Sequence, residues 1–461
     1  YSAGGNINMT ARFDDRFKND LDHAGELILG QKALLDVSGR WVNDRQTAIN
    51  GVNPSSALAL DGGEVILTSS SDLTLQQGSV IKANGGAQYT FDRKIVAGKG
   101  GDISLIAEGI SAAEPALLTL NGSVTAQALQ NNGSLSLTGS NIVVDNFDFS
   151  DPESKTTFIN SHNRIFSEFS NITLQAKLGD VRLTENAKLN LIQKNRVFKA
   201  GFNVAADNRS LNGFTSLQQN PEYLRSTTEL NLIARNNVEM LQGSSIVTQA
   251  GSAINFTANN SILVDGSIFS PSGTVGLTID AVDELYNPAQ SIVLGEHANI
   301  ALKGSVSLTP DRFLFRTGEV KKGGTLALLA ERGFIRMEDG AIVDISGTSA
   351  ILDIAVNGHP ALGVSAQRIG SDAGQFKLTS AEGIFLDGQL KAQAGSATAK
   401  GGMLSMTLDR SLRQDPLDLL AKPELKMTVS QSIDEVVRGE AGLATDWLAG
   451  SGVTDLRLNT P

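Results

Sequence analysis

The side chains best suited to acid–base chemistry in this sequence lie close together: Asp145, Asp148, Asp151 and Glu153, followed by Lys155 and Arg164. Paired carboxylates with a nearby cation are what a polysaccharide lyase or hydrolase requires, one group delivering a proton while another accepts one or meets developing charge. The same stretch carries Phe147, Phe149, Phe158, Phe166 and Phe169. Such rings form a contact surface or, more often, pack against the body of the protein. Both sets fall in a polar excursion, where solvated carboxylates are the rule. Packing and contact therefore come before catalysis as readings of this stretch.

Other chemistry is sparse. His23, His162, His297 and His359 are far apart and lack the spacing of metal ligands. There are no cysteines, which excludes disulfides, thiolate metal sites and cysteine nucleophiles. Gly98-Lys99-Gly100-Gly101 has the composition of a phosphate cradle but precedes a strand pattern, not a helix. Asp102 follows it alone, without the tandem Gly-Gly-x-Gly-x-Asp units of calcium-binding repeats. No catalytic, cofactor-binding or metal-ligating residue is assigned, and no cofactor is expected.

The 49 acidic residues outnumber the 38 Lys and Arg, for a formal charge of −11. That balance disfavours a nucleic-acid partner and, equally, electrostatic docking on anionic lipid. No apolar run is long enough to span a bilayer as a helix. Tyr1 opens on what reads as mid-repeat, so the chain is expected to be an internal stretch of something longer.

The elements that must carry these residues follow from a repeated phrase: glycine, a polar residue, an apolar one, any residue, an apolar one. It occurs as Gly5-Asn6-Ile7-Asn8-Met9, Gly25-Glu26-Leu27-Ile28-Leu29 and Gly63-Glu64-Val65-Ile66-Leu67. It returns at Gly101, Gly133, Gly179, Gly324 and Gly374. Alternation with period two marks a strand with one buried face. After each phrase a second run, a polar-glycine pair, a third run and a closing glycine follow. Gly63 to Gly86, Gly324 to Gly347 and Gly374 to Gly395 delimit units of roughly 21–23 residues, a solenoid period.

Three short strands per unit make one coil of a β-helix. Glycines at the corners, including Asn84-Gly85, Asn121-Gly122, Asp265-Gly266, Asp339-Gly340 and Asp387-Gly388, are expected to turn the chain through positive φ. With only 5% aromatic residues the core must be narrow, built from aliphatic columns such as Val65, Leu67, Leu326, Leu328, Phe376 and Leu378. Coils stacked about 4.8 Å apart would give some twelve to sixteen turns, roughly 60–75 Å of stack.

The expected fold is all-β: a right-handed parallel β-helix, or β-solenoid, with loop insertions and a small mixed subdomain at the C-terminal end. Coils with insertions at 12–22 and 40–56 fill 1–144, and 145–228 is insertion-rich around one coil near 172–192. Regular coils return over 229–409, interrupted near 283–288, and 410–461 is expected to be irregular or partly helical.

The glycine-bounded coils, together with Leu35-Asp36-Val37-Ser38-Gly39-Arg40-Trp41-Val42-Asn43-Asp44, resemble the filamentous haemagglutinin-like exoproteins of Gram-negative bacteria. The resemblance covers most of the chain, less clearly 193–228 and the last fifty residues. It implies export by two-partner secretion through an outer-membrane pore, a place outside the cell, and a receptor or glycan on a host or neighbouring cell. It carries over no site residue. The expected function is the structural shaft of a surface adhesin without catalysis of its own. The alternatives are a carbohydrate-active β-helix enzyme and the stalk of a contact-dependent toxin.

Overall fold

A computed structural model describes residues 3–12, 25–45, 60–147, 153–207, 210–281, 287, 289–355, 363–409, 424–428 and 438–460. Strand accounts for 50% of the chain and helix for 5%, and the strands form the stacked parallel sheets of a β-helix. The chain divides into two compact units, one of residues 1–181 with 189–233 and one of 182–188 with 234–461.

In the first unit one wall is built by Asn6–Ala11, Glu64–Ser69, Asp102–Ala107, Ser134–Gly139 and Asn171–Ala176, each parallel to the next. The register joins Ile7, Val65, Ile103, Leu135 and Ile172 in one inward column and Met9, Leu67, Leu105, Leu137 and Leu174 in another. From Val65 to Leu174 these side chains are almost wholly buried. Each Leu or Ile so placed contributes about 1.5–3 kcal/mol relative to exposure. A second wall stacks Leu27–Leu29, Leu73–Leu75 and Leu118–Leu120, and a third stacks Leu34–Asp36, Val80–Lys82 and Ser123–Thr125.

The second unit repeats the plan. Its first wall runs Ala253–Ala258, Thr274–Ile279, Thr325–Ala330, Gln375–Ser380, Gly402–Leu408 and Val453–Asn459. Ile254, Val275, Leu326, Phe376 and Leu404 form one buried column, and Phe256, Leu277, Leu328, Leu378 and Met406 the next. The second wall includes Ser261–Val264, Ser291–Leu294, Phe334–Met337 and Gly383–Leu386, and the third Ser267–Phe269, Asn299–Ala301, Ile342–Asp344 and Gln389–Lys391.

Most glycines of the repeated phrase have a different job from the one expected, although Gly25 does turn the chain with φ of 72°. Gly63, Gly101, Gly133 and Gly374 do not have positive φ. A Cβ on each would lie 1.8–1.9 Å from the carbonyl oxygen of the stacked glycine one coil away, Gly5, Gly63, Gly101 and Gly324 respectively. The residue is needed because two backbones cross too closely for any side chain. Positive φ is used elsewhere, at Gly78 (90°), Gly243 (87°) and Gly340 (90°), on the corner before the third wall. Of the five Asx-Gly pairs only Asp339-Gly340 turns that way.

Several boundaries differ from those expected. Gly25 and Gly179 open second-wall strands, Leu27–Leu29 and Val181–Leu183, whereas the other phrases open first-wall strands. Within the expected 40–56 loop, Trp41–Asn43 is a strand parallel to Ala87–Tyr89. Trp41 is 1% exposed and packs on Phe214, Phe198 and Phe202 at centroid distances of 5.0, 5.6 and 6.5 Å. Its indole donates to the Ala205 carbonyl, and the Asn43 amide donates to the carbonyls of Asn203 and Ala205. The 193–228 insertion, an antiparallel hairpin of Lys194–Phe198 and Thr215–Gln219 with short helical turns, thus supplies the apolar cover that makes a strand of a polar-looking loop.

In the C-terminal segment Glu424–Thr428, Glu440–Ala444 and Val453–Asn459 are parallel strands that continue the second and first walls. Among the described residues of this segment, helix is confined to the turn Thr445–Leu448. The coils persist because Ala441 and Leu443 are fully buried, in keeping with apolar positions on one strand face. The expected helices at Asp415–Leu420 and Ile433–Val437, the 12–22 insertion apart from Arg12, and all but Asn287 of the 283–288 loop lie outside the described residues.

Candidate binding groove

The 145–171 excursion does not simply leave the coil. After Asn141–Asp145 the chain returns as Thr156–Asn160, parallel to it with Asp145 opposite Asn160. The hydroxyl of Thr157 accepts from the Leu118 amide at 3.1 Å, so the returning strand borders Leu118–Leu120 of the preceding coil. A turn at Ser161–Arg164 then leads into the single helical turn Ile165–Glu168, which buries Ile165 and Phe166 beside Ser123–Thr125. Helix replaces the third strand of this coil, and the departure from regular stacking opens a groove.

Two adjoining hollows of about 130 and 350 Å³ meet at Leu120, Asn121 and Asn163. One continues along Phe147, Phe158 and Asn160, the other along Ser123, Arg164 and Glu168. Phe147 is 62% exposed, Asn163 and Arg164 are exposed, and Glu168 is buried. Glu168 accepts from the Gln127 amide at 2.5 Å and lies 3.9 Å from the Arg164 guanidinium. Behind it, Arg196 donates to Gln127 at 2.6 Å and to Thr215 at 3.2 Å. Burial pushes the Arg196 guanidinium down to about 10, with the Glu168 carboxylate opposing that shift.

The sequence candidates are scattered by this arrangement. Asp145 sits at a strand end and accepts from the next backbone N–H, Asn146, at 2.6 Å. Lys155 is drawn away to Asp72, 2.6 Å distant, whose other oxygen accepts from the Leu117 amide. Glu153 is exposed, and Asp148, Asp151 and Phe149 lie outside the described residues. Phe166 and Phe169 are buried at 1% and 0% exposure, as packing requires. Among the described charged candidates, Arg164 alone lines the groove. Glu168 was missed, although a carboxylate inside Ile165-Phe166-Ser167-Glu168-Phe169 is itself a signal, since an acid amid apolar residues must be paired.

Chemically the groove offers amide donors and acceptors, an exposed ring and one carboxylate–guanidinium pair. That set suits a polyhydroxylated or extended polar ligand held by hydrogen bonds against an apolar face. Glu168 is the single carboxylate among the described lining residues. No group of three or more His, Asp or Glu arranged to hold a metal occurs among the described residues. His162 is exposed, His297 lies 3.4 Å from Asp265, and His23 and His359 fall outside the described residues. Among the described residues no helix is long and apolar enough to cross a membrane. Comparison with protein-family models, curated proteins and solved structures yields no match.

Proposed function

We propose that this chain is the structural shaft of a bacterial surface adhesin, its coils supplying reach and the excursions at their corners supplying contact. On this reading it is exported through an outer-membrane pore by two-partner secretion, like the filamentous haemagglutinin-like proteins it resembles. It then stands outside a Gram-negative cell and meets a receptor or glycan on a host or neighbouring cell.

One observation carries the proposal: excursions leave the register of the first wall undisturbed. Ser134–Gly139 and Asn171–Ala176 pair residue for residue although the 146–168 excursion lies between them. Thr274–Ile279 and Thr325–Ala330 do the same across one lateral hairpin, and Thr325–Ala330 and Gln375–Ser380 across another. A scaffold that keeps register while side elements vary is suited to display. A toxin stalk would use the same property. The groove beside Glu168 and Arg164 favours a second reading, a carbohydrate-active enzyme, because β-helix enzymes need a carboxylate in a ligand-sized cleft.

The test sets adhesion against turnover. Beads coated with the chain should adhere to cultured cells, and the double change Asn121→Ala with Asn163→Ala should reduce adhesion while leaving circular dichroism unchanged. Absence of adhesion on every cell type, with polysaccharide depolymerisation lost on changing Asp148, Asp151 or Glu168, would replace the adhesin by the enzyme.

A further inference from the structure

Of the described polar groups that line the groove, Glu168 is the most deeply buried, at 3% exposure. Its two oxygens stand in different surroundings. Oε2 accepts from the Gln127 amide at 2.5 Å, and the carbonyl end of that amide accepts from Arg196 at 2.6 Å. Arg196 is itself 7% exposed and also donates to Thr215, so the hairpin strand Lys194–Phe198 holds the carboxylate from behind. Oε1 has no hydrogen-bond donor among the described residues. The Arg164 guanidinium lies 3.9 Å from it, beyond hydrogen-bond reach, and both residues line the hollow of about 350 Å³. A confined carboxylate oxygen without a donor is costly, and one whose twin is fixed by Gln127 has little freedom to find another.

The gap selects the chemistry that fills it. One hydroxyl about 2.8 Å from both groups spans it, donating to Oε1 and accepting from the guanidinium. An ammonium has no lone pair for Arg164, and a carboxylate or sulfate has no proton for Glu168. Anionic groups are also repelled by the Glu168 charge, which Arg196 already balances from within the protein. Water meets the same gap, but the groove continues past it. Asn121 and Asn163 stand where the two hollows join, and Phe147, 62% exposed, lines the next one. A pyranose has that alternation, hydroxyls at its rim and C–H groups on its face.

We infer that the groove binds an uncharged pyranose unit of a glycan, one hydroxyl bridging Glu168 and Arg164 while the neighbouring unit lies against the Phe147 ring. The inference rests on the display reading in taking the groove as a contact site, and it adds which saccharides qualify: neutral ones, not uronates or sulfated chains. Glu168 and Arg164 set that specificity together, the first requiring a proton donor and the second a lone pair on the same atom.

The measurement is retardation of the whole chain in native gels containing dextran, mannan or galactan, all uncharged, or polygalacturonate. Retardation by at least one neutral polymer and none by polygalacturonate is expected. Glu168→Gln should weaken the affinity at least about tenfold with an unchanged circular dichroism spectrum. Arg164→Ala, which alters an exposed side chain, should weaken it comparably and decides alone should the Glu168 variant unfold. Retardation by none of the polymers, stronger retardation by polygalacturonate, or unchanged affinity in the folded variants would each overturn the assignment. The two readings fail separately. Cell adhesion without saccharide binding would leave the adhesin standing and overturn this inference, whereas saccharide binding without adhesion would support the sugar site and remove the adhesin.

Discussion

At the scale of single residues, the costliest groups to bury in this protein are charges, and the second unit buries two together beside a third that is partly exposed. Arg332 is 2% and Glu382 1% exposed, 2.7 Å apart across stacked corners, while Glu382 also accepts from the Gly333 amide and lies 3.4 Å from Arg438. Removing one partner leaves the others buried without compensation, which costs more than the pair contributes. Glu382→Gln should therefore lose about 3–5 kcal/mol in urea unfolding. Replacing both partners, Arg332→Met with Glu382→Leu, should lose much less. Equal losses would show that the charges are not what the site requires.

A neighbouring acid makes a pH-dependent statement of opposite sign. Burial raises the carboxyl pKa of Asp387, and the adjacent Asp339 carboxylate raises it further. A folded value above the unfolded one means the group favours folding when protonated, a contribution complete below the unfolded pKa and lost as pH climbs through the folded value. At neutral pH the ionised Asp387 is a net cost. Asp387→Asn should raise the unfolding midpoint at neutral pH, and the gain should vanish as pH falls below about 4. A gain that grew on acidification would contradict the sign.

At the scale of the element, the strand phrase and its glycine carry separate information. The alternating residues specify a buried face, while the glycine specifies how closely two coils cross. Gly101 allows that approach because a Cβ there would sit 1.9 Å from the Gly63 carbonyl oxygen, and both partners are backbone. Gly101→Ala should destabilise the first unit by about 1–3 kcal/mol or more. Gly213→Ala, where a Cβ meets nothing within 4 Å, should change stability by no more than about 0.5 kcal/mol. Thermal melts of the two variants compare the claims directly, and equal midpoints would remove the glycine column from the account of stacking.

At the scale of the whole molecule, both units gain stability by repetition, since first-wall strands are paired in register with the strands of adjacent coils. The lateral hairpins at 194–219, 306–320 and 349–370 are paired with themselves instead. Hydrogen exchange read by mass spectrometry should find the first-wall amides of both units slowest and the 306–320 and 349–370 hairpins among the fastest ordered segments. Uniform exchange across hairpins and walls would mean that the lateral elements are integral to the fold, and display would lose its physical basis.

Alternation and phrase spacing made the coils and the inward columns legible in the sequence, because a period-two pattern reports its own buried face without reference to anything distant. Val65, Leu67, Leu326, Leu328, Phe376 and Leu378 are buried as that pattern requires. The same pattern is silent on which wall a strand joins, so Gly25 and Gly179 look identical to Gly63 yet open second-wall strands. It is equally silent on contacts that stacking creates between remote segments. Trp41 becomes core through rings more than 150 residues away, the Thr156–Asn160 strand borders a coil laid down earlier, and Glu168 finds Gln127 and Arg196 from opposite directions. Local hydrophobic rhythm fixes which face of a strand avoids water; only the folded stack fixes which strand lies beside it, and the groove arises where that neighbourhood departs from the rhythm.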